Sequence, residues 1–158
     1  MTSKPNLVAA SGKRLCLSAY GVDVELLAGR HRGSDFTLLN YRGPGYFDGV
    51  HSHRHMHATE WFWMLEGKIE CTVDGATRIL TPGEFIEIPP NADHVWRNPA
   101  KEPFRMLIGF TDPEMDGYFI ELFDLLKSAK TWPPADRNIL VNLNARYKTE
   151  VSVMEKAA

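Results

Sequence analysis

Apolar residues fall on alternate positions along residues 68–74, KIECTVD. Ile69, Cys71 and Val73 share one face, and Lys68, Glu70, Thr72 and Asp74 share the other. That two-residue period is the signature of a half-buried strand. Short runs of the same type recur from about residue 16 to residue 111: GVDVELLAG, SDFTLLNYR, EWFWML, ATRILT, FIEI, HVWRN and FRMLIGF. Turn residues separate them, among them Gly67, Asp74-Gly75, Pro82-Gly83, Pro89-Pro90 and Pro99. Asp74-Gly75 is a two-residue hairpin signal. Many short strands at this spacing predict an antiparallel sandwich or barrel rather than a parallel α/β sheet.

The period changes after Thr111. In residues 112–130 Phe119, Leu122, Phe123 and Leu126 lie at offsets of three, four and seven, one stripe of an amphipathic helix. The stretch TWPPADRN is a stop followed by a new start, and Ile139, Leu140, Leu143 and Tyr147 form a second stripe. The expected organisation is a flexible arm over residues 1–15, a β-barrel over 16–111, and a helical extension over 112–158 packed on the barrel. Some 40 residues can hardly build an independent core, so the helices are not read as a second domain.

The chain has 158 residues with 44% hydrophobic and 24% charged positions, ordinary for one globular domain. Eighteen Lys and Arg against 20 Asp and Glu give a net charge of −2. A nucleic acid or an anionic membrane as partner would favour a basic face, and neither is expected. Cys16 and Cys71 match no metal or redox spacing and build no disulfide framework, which predicts a reducing compartment. No run reaches membrane-spanning length and the first residues lack a signal-peptide core, so a cytoplasmic location is the expectation.

Four of the six histidines, His51, His53, His55 and His57, occupy every second position of HSHRHMH. On an extended strand such residues point the same way, and an i, i+2 pair of imidazoles can chelate one ion. Glu60 supplies a nearby carboxylate and His94 a distant imidazole. A nitrogen-rich shell with one carboxylate suits iron, manganese, nickel, copper, cobalt or zinc far better than calcium. The spacing alone leaves open which of the four histidines take part, and a histidine-rich tract can also bind metal adventitiously.

His53-Arg54-His55, four residues, Glu60, six residues and Gly67 make one motif. Gly83, five residues, Pro89-Pro90-Asn91, two residues, His94, three residues and Asn98 make a second. Together they resemble the two motifs of the cupin family, with Asn91 standing where glycine is usual. Asn tolerates the left-handed backbone that a turn glycine supplies, so this departure is mild. The resemblance implies an all-β fold, the cupin double-stranded β-helix or jelly-roll barrel, here with two C-terminal helices. It also implies one divalent transition metal held by His53, His55, Glu60 and His94. His51 and His57 are then close to the metal without binding it.

Placing Glu60 inward puts Phe62 and Met64 on its face and Trp61, Trp63 and Leu65 outside. Placing His94 inward does the same for Trp96 and Asn98, and Met106, Ile108 and Phe110 of the FRMLIGF run add to the lining. Phe62, Met64, Trp96, Met106 and Ile108 are therefore the expected walls of a substrate pocket, although interior apolar residues also simply fill small barrels. Outward Trp61 and Trp63 need cover from the helices or from a second subunit, and the resemblance favours a homodimer.

Within the cupins the chain is most similar to the small single-barrel proteins of the quercetin 2,3-dioxygenase-like group. The four-residue gap before Glu60, the aromatic-rich strand after it, and the Pro-Pro-Ala-Asp and Ala-Arg-Tyr segments of the tail carry that likeness. It implies a metal-dependent dioxygenase acting on a small aromatic or enol-type, flavonol-like substrate, with Glu60 as metal ligand or as catalytic base. The alternatives are a non-redox cyclase, isomerase or lyase, or a cupin that binds a small molecule without catalysis.

Overall fold

A computed structural model describes residues 15–131 and 133–152. Most of the expected arm, residues 1–14, lies outside the described residues, and Leu15 already opens the first strand. Eleven strands run in chain order as β1 (Leu15–Ala19), β2 (Val22–Ala28), β3 (Thr37–Gly43), β4 (His53–His55), β5 (Glu60–Glu66), β6 (Ile69–Val73), β7 (Ala76–Leu80), β8 (Phe85–Ile88), β9 (His94–Arg97), β10 (Phe104–Phe110) and β11 (Thr149–Val151). Helices α1 (Met115–Ser128) and α2 (Asn138–Arg146) lie between the last two. The strands form a six-stranded sheet, β1-β2-β3-β10-β5-β8, and a five-stranded sheet, β11-β4-β9-β6-β7. Among the described residues the strand pairings are antiparallel. This is the all-β jelly-roll barrel that the run pattern and motif spacing imply.

Alternation decides which residues enter the barrel. On β5 Glu60, Phe62 and Met64 are buried while Trp63 is exposed. On β9 His94 and Trp96 point inward, and on β10 Phe104, Met106, Ile108 and Phe110 do. Trp96 is the hub of this interior. Its ring meets Tyr41 edge-on at 5.5 Å, Phe104 at 5.6 Å, Phe47 at 5.6 Å and Phe62 at 6.2 Å. Such aromatic packing adds to the burial of large apolar area as the main source of cohesion.

Two glycines are required by their surroundings. Gly67 has φ +69° between β5 and β6, and a Cβ there would lie 2.4 Å from the Pro103 carbonyl oxygen. Gly109 on β10 opposes Trp61 on β5, and a Cβ would meet that indole at 2.0 Å. The Trp61 ring therefore lies on the glycine of the neighbouring strand, which gives the outward tryptophan half of its cover. The helices do not supply the rest. Helix α1 packs against β1, β3 and the 3-10 turn Arg30–Arg32 instead, and Trp63 and Phe85 stay exposed side by side, 6.4 Å apart.

The extension after residue 111 differs from a purely helical one. Helix α1 buries Phe119 and Phe123 as its stripe requires, but on α2 Ile139 is exposed and Leu143 and Asn144 are the buried positions. After α2, Lys148 turns the chain with φ 52° and β11 joins the five-stranded sheet. Thr149 pairs with His55, Glu150 with Arg54 and Val151 with His53. Arg54 donates to Glu150 from Nε at 2.9 Å and from Nη2 at 2.6 Å, fixing this register. The last described strand thus flanks the histidine strand.

Candidate metal centre

Strand β4 carries His53 and His55, β5 begins at Glu60, and β9 begins at His94, directly opposite His53 in the register. One ligand atom from each of these four residues lies within 4.8 Å of all the others. His55, Glu60 and His94 are 5%, 4% and 1% exposed, and His53 is half-buried at the open side. The imidazoles pack ring to ring, His53 to His94 at 4.2 Å and His53 to His55 at 5.0 Å, with Phe110 closing against His55 at 5.2 Å.

Each imidazole is held from behind. His53 Nδ1–H donates to the His51 carbonyl at 2.8 Å, and His94 Nδ1–H to the Ala92 carbonyl at 3.0 Å. His55 Nδ1–H donates to Thr149 Oγ1 at 2.9 Å, whose own proton goes to the Tyr147 carbonyl at 3.2 Å. With Nδ1 as donor in all three rings, Nε2 is the free lone pair, and these atoms converge. The donor set of three imidazole nitrogens and one carboxylate therefore fits a divalent transition metal.

Glu60 Oε2 lies 2.7 Å from His94 Nε2 and 3.2 Å from His55 Nε2. Burial pushes the Glu60 carboxyl upward, but hydrogen bonds and charge from His55 and His94 outweigh it and hold it well below the usual carboxylate range. For His94 burial favours the neutral ring, yet the hydrogen bond to Glu60 prevails and its pKa is raised. His94 Nε2 and Glu60 Oε2 thus face each other at hydrogen-bond distance where a cation could sit. Burial first, then the neighbouring His94, lowers His53 to about 4, so that this ring is neutral at ordinary pH. Cys71 is also buried near Glu60. Desolvation and then the Glu60 charge push its thiol up to about 12, and its sulfur is not among the converging ligand atoms.

The structure separates the four histidines. The His51 and His57 imidazoles are exposed, and His51 contributes its backbone carbonyl instead. Asn91 has φ 66°, the left-handed backbone expected of a residue in the glycine's place, and its N–H donates to the His55 carbonyl at 2.8 Å. Asn98 is a loop staple, with Nδ2 donating to the carbonyls of Pro44 and Glu102. Phe62, Met64, Trp96, Met106 and Ile108 belong to the single hydrophobic core and are at most 3% exposed. They fill the barrel next to the site. A cavity of about 350 Å³ lies elsewhere, between α1 and α2. Thr149 was not legible as a site residue. It lies 94 positions from His55, and no local motif announces it.

Residues 43–110 match the family model described as a cupin domain. With the jelly-roll and the two spaced motifs, this defines the class that the barrel segment resembles, a cupin domain. It is 33% identical over 70 residues to the quercetin 2,3-dioxygenase of Bacillus subtilis, covering 44% of this chain and 20% of that protein. It is 31% identical over 74 residues to the polyketide synthase CurC of Streptomyces cyaneus, covering 47% of each. The chain thus matches less than half the length of either relative. An RmlC-like cupin from Shewanella frigidimarina superposes with a TM-score of 0.57 at 19% identity, over 70% of this chain and 93% of that one. KdgF from a Halomonas species gives 0.54 at 20%, over 67% and 92%. At such identities the two structures speak for the fold alone.

Proposed function

We propose that His53, His55, Glu60 and His94 bind one divalent transition metal, and that the protein is a dioxygenase for a small aromatic or enol-type substrate. The convergence of three Nε2 atoms and one carboxylate, each imidazole anchored through Nδ1, is the observation that carries the metal reading. The likeness to quercetin 2,3-dioxygenase, 33% identity over 70 residues, favours the oxygenase class. When bound, such a metal supplies a Lewis-acid centre that acidifies a chelating hydroxyl, and a redox-active one opens the way to dioxygen chemistry.

The protein's own part is positional. His55 and His94 are sealed in the barrel wall, while His53 borders the open side and leaves an approach for a substrate oxygen. Phe110 and the core beneath exclude water from one flank, which strengthens every charge interaction in the site. In the metal-free geometry Glu60 Oε2 lies within hydrogen-bond distance of Nε2 of both His55 and His94. Once those nitrogens turn to a metal, the carboxylate is left to ligate or to take the substrate's hydroxyl proton.

A second reading, a cyclase or another non-redox enzyme on a polyketide-like substrate, draws on the equal-coverage match to the polyketide synthase CurC. Oxygen uptake with a panel of flavonols and hydroxyaryl ketones separates the two. The oxygenase reading expects uptake that stops on removal of the metal, whereas turnover under anaerobic conditions supports the second.

A further inference from the structure

Strand β11 is three residues long, yet each of residues 149–152 holds a piece of the ligand segments. Thr149 lies opposite His55, and its Oγ1 accepts from His55 Nδ1 at 2.9 Å. Glu150 lies opposite Arg54, the residue between the two candidate ligands of β4, and accepts from both Nε and Nη2 on one carboxylate oxygen. Val151 lies opposite His53. Ser152 donates its backbone N–H to the Ser52 carbonyl at 2.8 Å, and its hydroxyl to Asp93 Oδ1 at 3.1 Å, one residue before His94. This short stretch therefore ties together the histidine pair and the loop that leads into His94.

So short a strand has too few ladder bonds to fix its own register. A slip of one residue turns every side chain to the other face, and the Thr149 side chain, buried in the observed register, would point away from His55. The register is held by contacts at both ends and in the middle. Met56 donates its N–H to the Lys148 carbonyl at 2.9 Å, Ser152 closes the other end, and the Arg54–Glu150 pair fixes the centre. That pair is exposed, with side chains 41% and 52% accessible, and such a pair contributes little to overall stability. Its distinctive consequence is the side on which the Thr149 hydroxyl falls. The approach to the strand is anchored as well, because Tyr147, just before the turn at Lys148, donates its hydroxyl to Glu121 of α1 at 2.6 Å.

We propose that Glu150 is a positioning residue of the metal centre, with Ser152 as a second pin. Together they keep β11 in the register that sets Thr149 behind His55, so that metal binding and the docking of residues 149–152 strengthen each other. The inference rests on the metal site proposed above and is independent of the reaction performed there. The coupling is reciprocal: a docked strand that raises metal affinity is itself held more firmly by the metal.

The test uses the full chain with zinc(II) as the probe, its affinity read by competition with a chromophoric chelator. Arg54→Glu and Glu150→Arg each set like charges face to face, and the double variant restores an opposite pair in reversed order. Each single variant is expected to bind zinc about five- to tenfold more weakly, as for a site whose competent register is populated in roughly one molecule in five to ten. The double variant is expected to return to within about twofold of the parent. Glu70→Arg, which breaks the Arg97–Glu70 pair between β9 and β6, is expected to leave zinc affinity as in the parent. In the parent, zinc is expected to slow hydrogen exchange at the Ser152 and Met56 N–H groups about five- to tenfold. The Gly83 N–H, bonded to Met64 at the far end of β5 from Glu60, is expected not to respond. Parent-like affinity in both single variants, a double variant as weak as the singles, or an equal loss in Glu70→Arg overturns the positioning role. Exchange at Ser152 that ignores zinc overturns the coupling. Failure of the parent to bind zinc overturns the metal reading itself, whereas zinc binding without these effects removes only the role of the strand.

Discussion

His55 and Thr149 are joined by a 2.9 Å hydrogen bond across 94 positions of chain, from the imidazole Nδ1 to the threonine hydroxyl. The last described strand thus orients an imidazole of the candidate metal centre. Thr149→Val keeps the shape and the strand propensity but removes the acceptor. It is expected to weaken metal binding about ten- to a hundredfold, the usual effect of losing a partner behind a ligating histidine. Chelator competition measures this, with Thr149→Ser as the variant that restores affinity. An unchanged affinity in the valine variant means that the strand merely abuts the site.

Metal binding is expected to release a proton. His94 has a raised pKa and shares its proton with Glu60, so the cation must displace that proton below the folded pKa of His94. Apparent affinity then rises about tenfold per pH unit until the pH passes that value, and levels off above it. His53, held down to about 4, adds no second proton near neutrality. Calorimetry in buffers of different ionisation enthalpy counts the protons, and a count near zero at pH 6 contradicts the His94–Glu60 arrangement.

The same pair shapes the stability of the metal-free protein. The raised His94 value contributes stability that is fully present below its unfolded pKa and lost as pH rises through the folded one. The depressed Glu60 value contributes stability present above the unfolded carboxylate pKa and lost as pH falls through the folded one. Glu60→Gln removes the charge that sustains both, and the His94 pKa, followed by NMR, is expected to drop below that of a free imidazole because burial alone remains.

Phe62 separates core from pocket. It is fully buried and packed on Trp96, so Phe62→Ala is expected to cost about 3–5 kcal/mol of stability. Urea unfolding of the metal-free chain reads the loss directly. A loss below about 1 kcal/mol, together with altered ligand selectivity, returns this residue to the pocket wall.

Asn91 adopts the left-handed backbone beside the His55 carbonyl. Asn91→Gly is expected to leave stability and metal affinity nearly unchanged, while Asn91→Val is expected to cost about 1–2 kcal/mol through strain at that position. Thermal melts of the two variants check the contrast.

Much of this was legible in the one-dimensional pattern. Period-two runs mark most of the strands because a sheet with one buried face selects alternate residues, as Ile69 and Cys71 show on β6. The four candidate ligands His53, His55, Glu60 and His94 are reached through the resemblance of the two motifs to the cupins, and their ligand atoms do converge in the structure. Very short strands were less legible. Strand β4 has three residues and β11 three, too few to display a period.

Local periodicity in the sequence determined an antiparallel β-barrel or sandwich, and the two spaced motifs, through their resemblance to the cupins, pointed to the jelly-roll and the four candidate ligands. Only the tertiary structure decided what surrounds them. Thr149 behind His55 and the outward turn of Ile139 both depend on how the chain after residue 111 folds back on the barrel. Those contacts join residues far apart in the chain, and the geometry that selects them is set by packing rather than by any repeat in the sequence.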